Sequence, residues 1–159
     1  MELRYKHVER VVADVFSVNE TGIGRLRARI RHLHDAGLNP SRPGTGAAID
    51  YSTQHVFILV VALVLDRLGH PPKSAAALAP SLARHYDEAI DGNQFVMVKS
   101  AEKLPGFEVG VFPREQDFYK AVRGEGPEYA KAPPAYLVIN LKFYSDAIKT
   151  ALSRIESGR

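Results

Sequence analysis

Basic side chains are concentrated in one stretch near the start of the chain, between Thr21 and Gly46. This stretch contains five arginines, two histidines and a single acidic residue, Asp35. The arginines are Arg25, Arg27, Arg29, Arg31 and Arg42. Guanidinium groups clustered in this way suit the phosphate backbone of a nucleic acid, whereas a solvated helix face is the simpler alternative.

Residue types that catalyse reactions or hold metals are not combined at useful spacings elsewhere. The chain has no cysteine, which excludes disulfides, cysteine-ligated zinc, iron–sulfur clusters and thiol catalysis. None of the six histidines lies four residues from another, and no serine lies in a nucleophile elbow. Asp14 and Asp50 have no acidic partner at a catalytic spacing. We therefore expect no enzymatic activity, no metal and no cofactor.

Composition is that of an ordinary globular protein of 159 residues, with 45% hydrophobic and 25% charged residues and a net charge of +3. The longest apolar run, from Val56 to Leu65, is shorter than the roughly 20 residues that a membrane span needs. It is therefore predicted to be a buried helix. With no apolar signal core at the N-terminus, the expected location is the cytoplasm.

Two amphipathic helices are predicted around the basic stretch. The first, Leu3 to Phe16, carries one apolar stripe, and the second, Glu20 to Ala36, is bounded by Asn19 as its N-cap and Gly37 as its stop. The stripes consist of Val8, Val11, Val12 and Val15, and of Ile23, Leu26, Ile30 and Leu33. At about 100° per residue, the opposite half of the second helix carries Thr21, Gly24, Arg25, Ala28 and Arg31.

The spacing of three residues predicts that these helices form a helix-turn-helix. Ala13 provides a small residue where the helices cross, Ser17 lies at the turn, and Ile23 faces back into the core. Glycine is the usual turn residue, so Ser17 departs from the pattern. Gly24 and Ala28 are small, which favours close approach of the outward half to a DNA groove. A frayed helix start is the alternative explanation for glycines at positions 22 and 24.

The residues that follow extend this pattern. Gly37-Leu38, Pro40 and Arg42 precede a glycine-rich run, residues 44–52, which ends in Tyr51-Ser52 before a helix from Thr53 to Gly69. Over residues 8–80 the chain thereby resembles the MerR-like winged helix-turn-helix, whose second helix and wing touch DNA. The resemblance and the helical wheel together predict these DNA-binding residues: Thr21, Gly24, Arg25, Arg27, Ala28, Arg31, Arg42, Thr45 and Tyr51.

The chain departs from typical MerR-like activators after this point. Their long dimerising helix is replaced by Pro71-Pro72 and a helix from Lys73 to Ile90 that contains Pro80. This arrangement resembles the regulators of prophages and gene transfer agents, in which an unrelated module follows the winged helix. The predicted domains are residues 1–91, which bind DNA, and residues 92–159, with the boundary at Asp91-Gly92-Asn93.

The C-terminal half is predicted to be a small α+β domain with a three-stranded sheet, so the fold class is α+β. The predicted strands are Phe95–Lys99, Phe107–Phe112 and Ala135–Leu141, and the predicted helices are Arg114–Val122 and Phe143–Ile155. Because the last strand is apolar on both faces, it is predicted to be a central or interface strand. Leu137, Ile139 and Leu141 are the predicted dimer interface, and a compact monomer core is the alternative.

These patterns favour a sequence-specific, homodimeric transcription regulator that binds double-stranded DNA and contacts RNA polymerase or another transcription protein. The alternative is a module whose α+β half binds a small molecule or a protein. An enzyme acting on nucleic acid is the third hypothesis, but it lacks paired carboxylates and a nucleophile with its base. Salt-dependent DNA binding separates the first two hypotheses.

Overall fold

A computed structural model describes residues 3–38, 51–84, 95–99, 108–112 and 136–158, together with Gln116, Tyr119, Lys120 and Arg123. The protein is mostly helical, with five α-helices in these residues. Its contacts divide the chain into two compact units, Met1–Arg84 with Asp146–Arg159, and His85–Ser145. The predicted boundary at residues 91–93 and the predicted helix Arg114–Val122 lie outside, or almost entirely outside, the described residues.

The first helix, α1, spans Tyr5–Val15 and buries the predicted valine stripe. Val8, Val11 and Val12 are fully buried. Leu3 was predicted to belong to this helix, but its N–H donates to the Tyr51 carbonyl and its carbonyl accepts from the Tyr51 N–H, both at 2.9 Å. This antiparallel bridge holds Leu3 extended, so the helix starts two residues later.

The second helix is preceded by a tighter turn. A 3-10 turn, Glu20–Gly22, leads into α2, Ile23–Asp35. The predicted cap is confirmed, because the Asn19 side chain accepts a hydrogen bond from the Gly22 N–H at 3.1 Å. The predicted inner stripe is confirmed at Leu26, Ile30 and Leu33, which are at most 5% exposed.

The third helix, α3, spans Thr53–Arg67 and begins with a capping box. The Ser52 hydroxyl accepts from the His55 N–H at 3.2 Å, and the His55 ring accepts from the Ser52 N–H at 3.2 Å. The apolar run is confirmed as a buried helix: Val56, Phe57 and residues 59–65 are all buried. No helix in the described part of the chain is long and apolar enough to cross a membrane.

The fourth helix, α4, spans Pro72–Ala83 and packs against α3. Ala75, Ala76 and Ala79 are buried, and their small side chains allow the two helices to approach closely. Contact with α4 thus covers part of the surface of α3 and contributes to its burial. Residues 85–90, the predicted end of this helix, lie outside the described residues.

The second unit contains three strands, β1 Phe95–Lys99, β2 Glu108–Phe112 and β3 Tyr136–Asn140. They form an antiparallel sheet in the order β2-β1-β3, with Met97 opposite both Gly110 and Val138. The middle strand is therefore β1. Within the described sheet, β3 pairs with β1 alone, so the prediction of a central position for it was wrong.

The last helix, α5, spans Leu141–Glu156 and follows β3 directly. The Asn140 side chain accepts from the Phe143 N–H at 3.0 Å, which caps the helix and ends the strand before Leu141. From Asp146 onward α5 belongs to the first unit, where Arg154 Nη1 lies 2.9 Å from Asp14 Oδ2. This grouping differs from the predicted domain of residues 92–159.

Two of the three residues of the predicted dimer interface are buried within the single chain, as the alternative of a compact monomer core predicts. Ile139 and Leu141 are only 1% and 0% exposed in the single chain. Side chains already buried within one copy have no apolar surface left to offer a second copy. The side chain of Leu137 lies outside the described part of the structure.

Candidate nucleic-acid interface

The predicted tight turn between α1 and α2 is confirmed at Ser17, whose φ of 51° lies in the left-handed region. The Ser17 N–H donates to the Asp14 carbonyl at 3.1 Å, and the Val18 N–H donates to the Ala13 carbonyl at 2.8 Å. This is the Schellman pattern, which usually has glycine at the left-handed position. Ser17 therefore adopts the conformation that glycine supplies in most such turns.

Two glycines, Gly22 and Gly24, lie around the start of α2, and close contact with the preceding turn explains one of them. A Cβ at Gly22 would lie 2.8 Å from Val18 Cγ1, so a side chain here would force Val18 to move. A Cβ at Gly24 would meet nothing within 4 Å. The contact with Val18 therefore favours glycine at position 22, whereas nothing in the described part of the protein requires glycine at position 24.

The outer face of α2 and its 3-10 turn is defined here by Thr21, Gly24, Arg25, Ala28 and Arg31. All five residues are exposed, as the helical wheel predicts. The Thr21 hydroxyl donates to the Asn19 side chain at 2.9 Å, so it supports the cap as well. The structure therefore brings five of the nine predicted DNA-binding residues onto one exposed surface.

Arg27 has a different environment from the one expected. Its Nη2 lies 2.8 Å from Glu9 Oε1 and its Nε lies 2.5 Å from Glu9 Oε2. This two-pronged pair joins α2 to α1, and its hydrogen bonds raise the pKa of Arg27 above the ordinary value. This pair ties α2 to α1, while the Arg27 side chain stays 57% exposed, so its DNA contact remains a prediction.

The other three arginines of α2 differ in whether they pair with a carboxylate. Arg29 Nε lies 3.7 Å from Asp66 Oδ2, which links α2 to α3. Arg25 and Arg31 pair with none of the carboxylates in the described ranges. Two of the four α2 arginines thus support the fold, and two present unneutralised guanidinium groups to solvent.

Tyr51 is not a surface residue, contrary to its predicted DNA contact. Its side chain is 3% exposed, with its ring centroid 6.3 Å from that of His34 and 6.5 Å from that of Tyr5. Tyr51 therefore belongs to the core beneath α1 and α2. Burial raises the pKa of the neighbouring Tyr5 hydroxyl, and Glu9 adds to this shift. Arg42 and Thr45 lie outside the described residues.

One basic residue near α2 was missed by the sequence analysis. Arg67, at the end of α3, lines a cleft together with Arg25 and Arg29. Its Cζ atom lies 4.2 Å from the centroid of the Phe16 ring, a cation–π contact that orients the guanidinium. Arg67 follows Arg25 and Arg29 by 42 and 38 positions in the sequence, so local spacing carries no signal for this cluster.

The described ranges also bear on the ligand sets that metal ions need. They contain no group of three or more histidines and carboxylates that could hold a metal ion. A second cleft, about 180 Å³ in volume, is lined by His34, Tyr51 and His55 among mostly apolar neighbours. Within this cleft the His55 ring and backbone N–H are engaged in the Ser52 cap.

No protein-family model matches this chain, and no curated protein is significantly similar to it.

Proposed function

We propose that the protein is a sequence-specific, DNA-binding transcription regulator whose recognition helix is α2. The outer face of α2 carries the proposal. Its inner face is fully used by the core, while Arg25 and Arg31 extend from the outer face without a carboxylate partner among the described residues. Unpaired guanidinium groups on an exposed helix suit phosphate contacts and hydrogen bonds to guanine in the major groove.

The shape of the outer face supports the same proposal. Gly24 and Ala28 lie near its centre, between the longer side chains of Arg25 and Arg31. Open space beside Gly24 leaves its backbone accessible to another surface. A helix that is low at its centre and basic at its edges can enter a groove closely while its arginines reach bases or phosphates.

We further propose that the first unit is a MerR-like winged helix-turn-helix. Two features support this assignment: the Schellman turn at Ser17 and the bridge from Leu3 to Tyr51, the residue where the predicted wing ends. In this proposal Arg42 and Thr45 contact DNA from the wing. The sheet of β1, β2 and β3 would belong to an α+β second domain.

Two copies are expected to act together on DNA. One recognition helix reads only a short half-site, and regulators commonly double this contact by symmetry. We therefore keep the homodimer as part of the proposal, with a surface other than the buried Ile139 and Leu141. Light scattering of the full chain tests it, and a monomer at tens of micromolar that binds a non-palindromic site one-to-one would overturn it.

Selection of binding sequences from genomic fragments, followed by salt titration of the best duplex, tests the main proposal. If about four to six phosphates are neutralised, affinity should fall by roughly two to three decades between 50 and 200 mM salt. Arg84→Ala, which removes an exposed charge outside the interface, is the matched control for Arg25→Ala. Absence of binding at low salt, or binding that ignores salt, would leave the small-molecule or protein-binding module as the leading function.

A further inference from the structure

The cleft beside α2 is built for an anion. The arginine cleft is defined here by Arg25, Arg29 and Arg67, which line a cavity of about 240 Å³. Asp66, paired with Arg29, is the acidic group found beside it in the described ranges. Three guanidinium groups against one carboxylate leave a net positive site.

The arginine cleft also has features that strengthen ion binding relative to an open surface. Four of its eight lining residues are apolar: Phe16, Val18, Leu26 and Leu63. Apolar neighbours lower the local dielectric, so the attraction between a guanidinium and an anion is larger than in bulk water. Contact with the Phe16 ring at 4.2 Å orients Arg67 before a ligand arrives.

Size and geometry narrow the chemical class of the ligand. The cleft is smaller than the roughly 300–1,000 Å³ typical of sites that enclose whole small molecules. It therefore fits one anionic group better than an entire cofactor. Planar guanidinium forks match the oxygens of a phosphate, which accepts parallel hydrogen bonds from them.

We propose that the arginine cleft is a phosphate-binding site, with Arg67 as a phosphate contact from outside the recognition helix. The phosphate comes either from the DNA backbone or from a free phosphorylated molecule. The first source rests on the proposed function: Arg25 belongs both to the outer face and to the cleft, so a strand crossing this edge of α2 would meet Arg67. The second source does not depend on DNA binding.

Nuclear magnetic resonance titration of the full chain with inorganic phosphate tests the site directly, against sodium chloride at equal ionic strength. We expect saturable shifts of the Arg67 and Arg25 side-chain N–H signals and of the Val18 and Gly22 amides. Arg67→Met keeps an apolar stem on Phe16 and should abolish the saturable shifts, as should Arg25→Ala. Arg84→Ala should leave them unchanged.

Salt titration of duplex DNA binding then separates the two sources. If the DNA backbone occupies the cleft, Arg67→Met should reduce the slope of log affinity against log salt by about one, and Arg84→Ala should not. Such a change assigns the site to DNA whether or not free phosphate saturates it. Saturation with an unchanged slope, or in a protein that binds no DNA, assigns the site to a free phosphorylated molecule. Absence of both effects overturns the proposal.

Discussion

The two faces of α2 and its 3-10 turn use the same residue types for different purposes. On the sides that contact the protein, Gly22 makes room for Val18, and Arg27 and Arg29 pair with carboxylates of α1 and α3. On the outer face, Gly24 lies beside open space, and Arg25 and Arg31 have no acidic partner in the described ranges. Residue type alone therefore does not separate fold from function in this helix, whereas the partner of each residue does.

The largest expected effect comes from the inner face. Ile30 is fully buried between the helices, so Ile30→Ala should lower the free energy of unfolding by about 2–5 kcal/mol through lost burial and the cavity left behind. Chemical denaturation monitored by circular dichroism measures this change. A loss below 1 kcal/mol would contradict the assignment of Ile30 to the core.

The next largest effects should distinguish the unpaired Arg25 from the paired Arg27, in DNA affinity and in stability. Arg25→Ala should weaken binding to the selected DNA by about 1–3 kcal/mol and relax the preference for one base, with little change in stability. Arg27→Ala should do the reverse, with a loss of stability through the Glu9 pair and a smaller effect on DNA. Parallel denaturation curves and DNA titrations of both variants measure the split. Equal effects of the two substitutions on both quantities would contradict it.

Replacing Gly22 or Gly24 with alanine makes a similar comparison, with smaller expected changes in stability. Gly22→Ala should destabilise the protein by about 1–2 kcal/mol, since its Cβ would clash with the stiff side chain of Val18. Gly24→Ala should stabilise it by about 0.5–1 kcal/mol, because alanine favours the helix and nothing obstructs its methyl group.

DNA binding adds a second readout to the glycine pair. If Gly24 permits close approach to a groove, Gly24→Ala should weaken DNA binding although it stabilises the fold. A variant that is more stable and binds DNA with unchanged affinity would show that Gly24 has no part in the interface.

An effect of similar size is expected at the turn between α1 and α2. Ser17→Gly should stabilise the protein by about 1 kcal/mol, because glycine adopts a φ near 51° without the steric cost of a side chain. After α2 and α3, the residues with positive φ are already glycines: Gly37 at 107° and Gly69 at 91°. Thermal unfolding of the variant measures the gain, and a lower melting temperature would mean that the serine hydroxyl contributes to the turn.

Local patterns predicted the helices well because the signals lie within a few residues. The valine stripe of α1, the Asn19 and Ser52 caps and the stop at Gly37 all depend on neighbours along one helix. Single-helix periodicity also separated the buried and exposed faces of α2. The Glu20–Gly22 segment was predicted to be α-helical, and residue spacing did not reveal its 3-10 geometry.

Contacts between distant segments could not be predicted from these local patterns. The pairing of Arg27 with Glu9 and the placement of Arg67 beside Arg25 depend on how helices cross. Likewise, Tyr51 was placed on a DNA-binding surface by resemblance, while its backbone bridge to Leu3 and its contact with His34 bury it. These corrections share one cause, since tertiary contacts and not residue type decide which polar or aromatic groups remain free.

The position of α5 has a consequence for how the chain acquires its structure during synthesis. The first unit is discontinuous: Met1–Arg84 is grouped with Asp146–Arg159, which are made only after the whole of the second unit. Because Ile148 and Ala151 are buried and Arg154 pairs with Asp14, we expect the N-terminal helices to lack part of their packing until residues 146–159 have been made. We expect a nascent chain stalled before residue 146 to be more sensitive to protease than the released protein, and a fragment ending near Asp91 to lack part of its own fold.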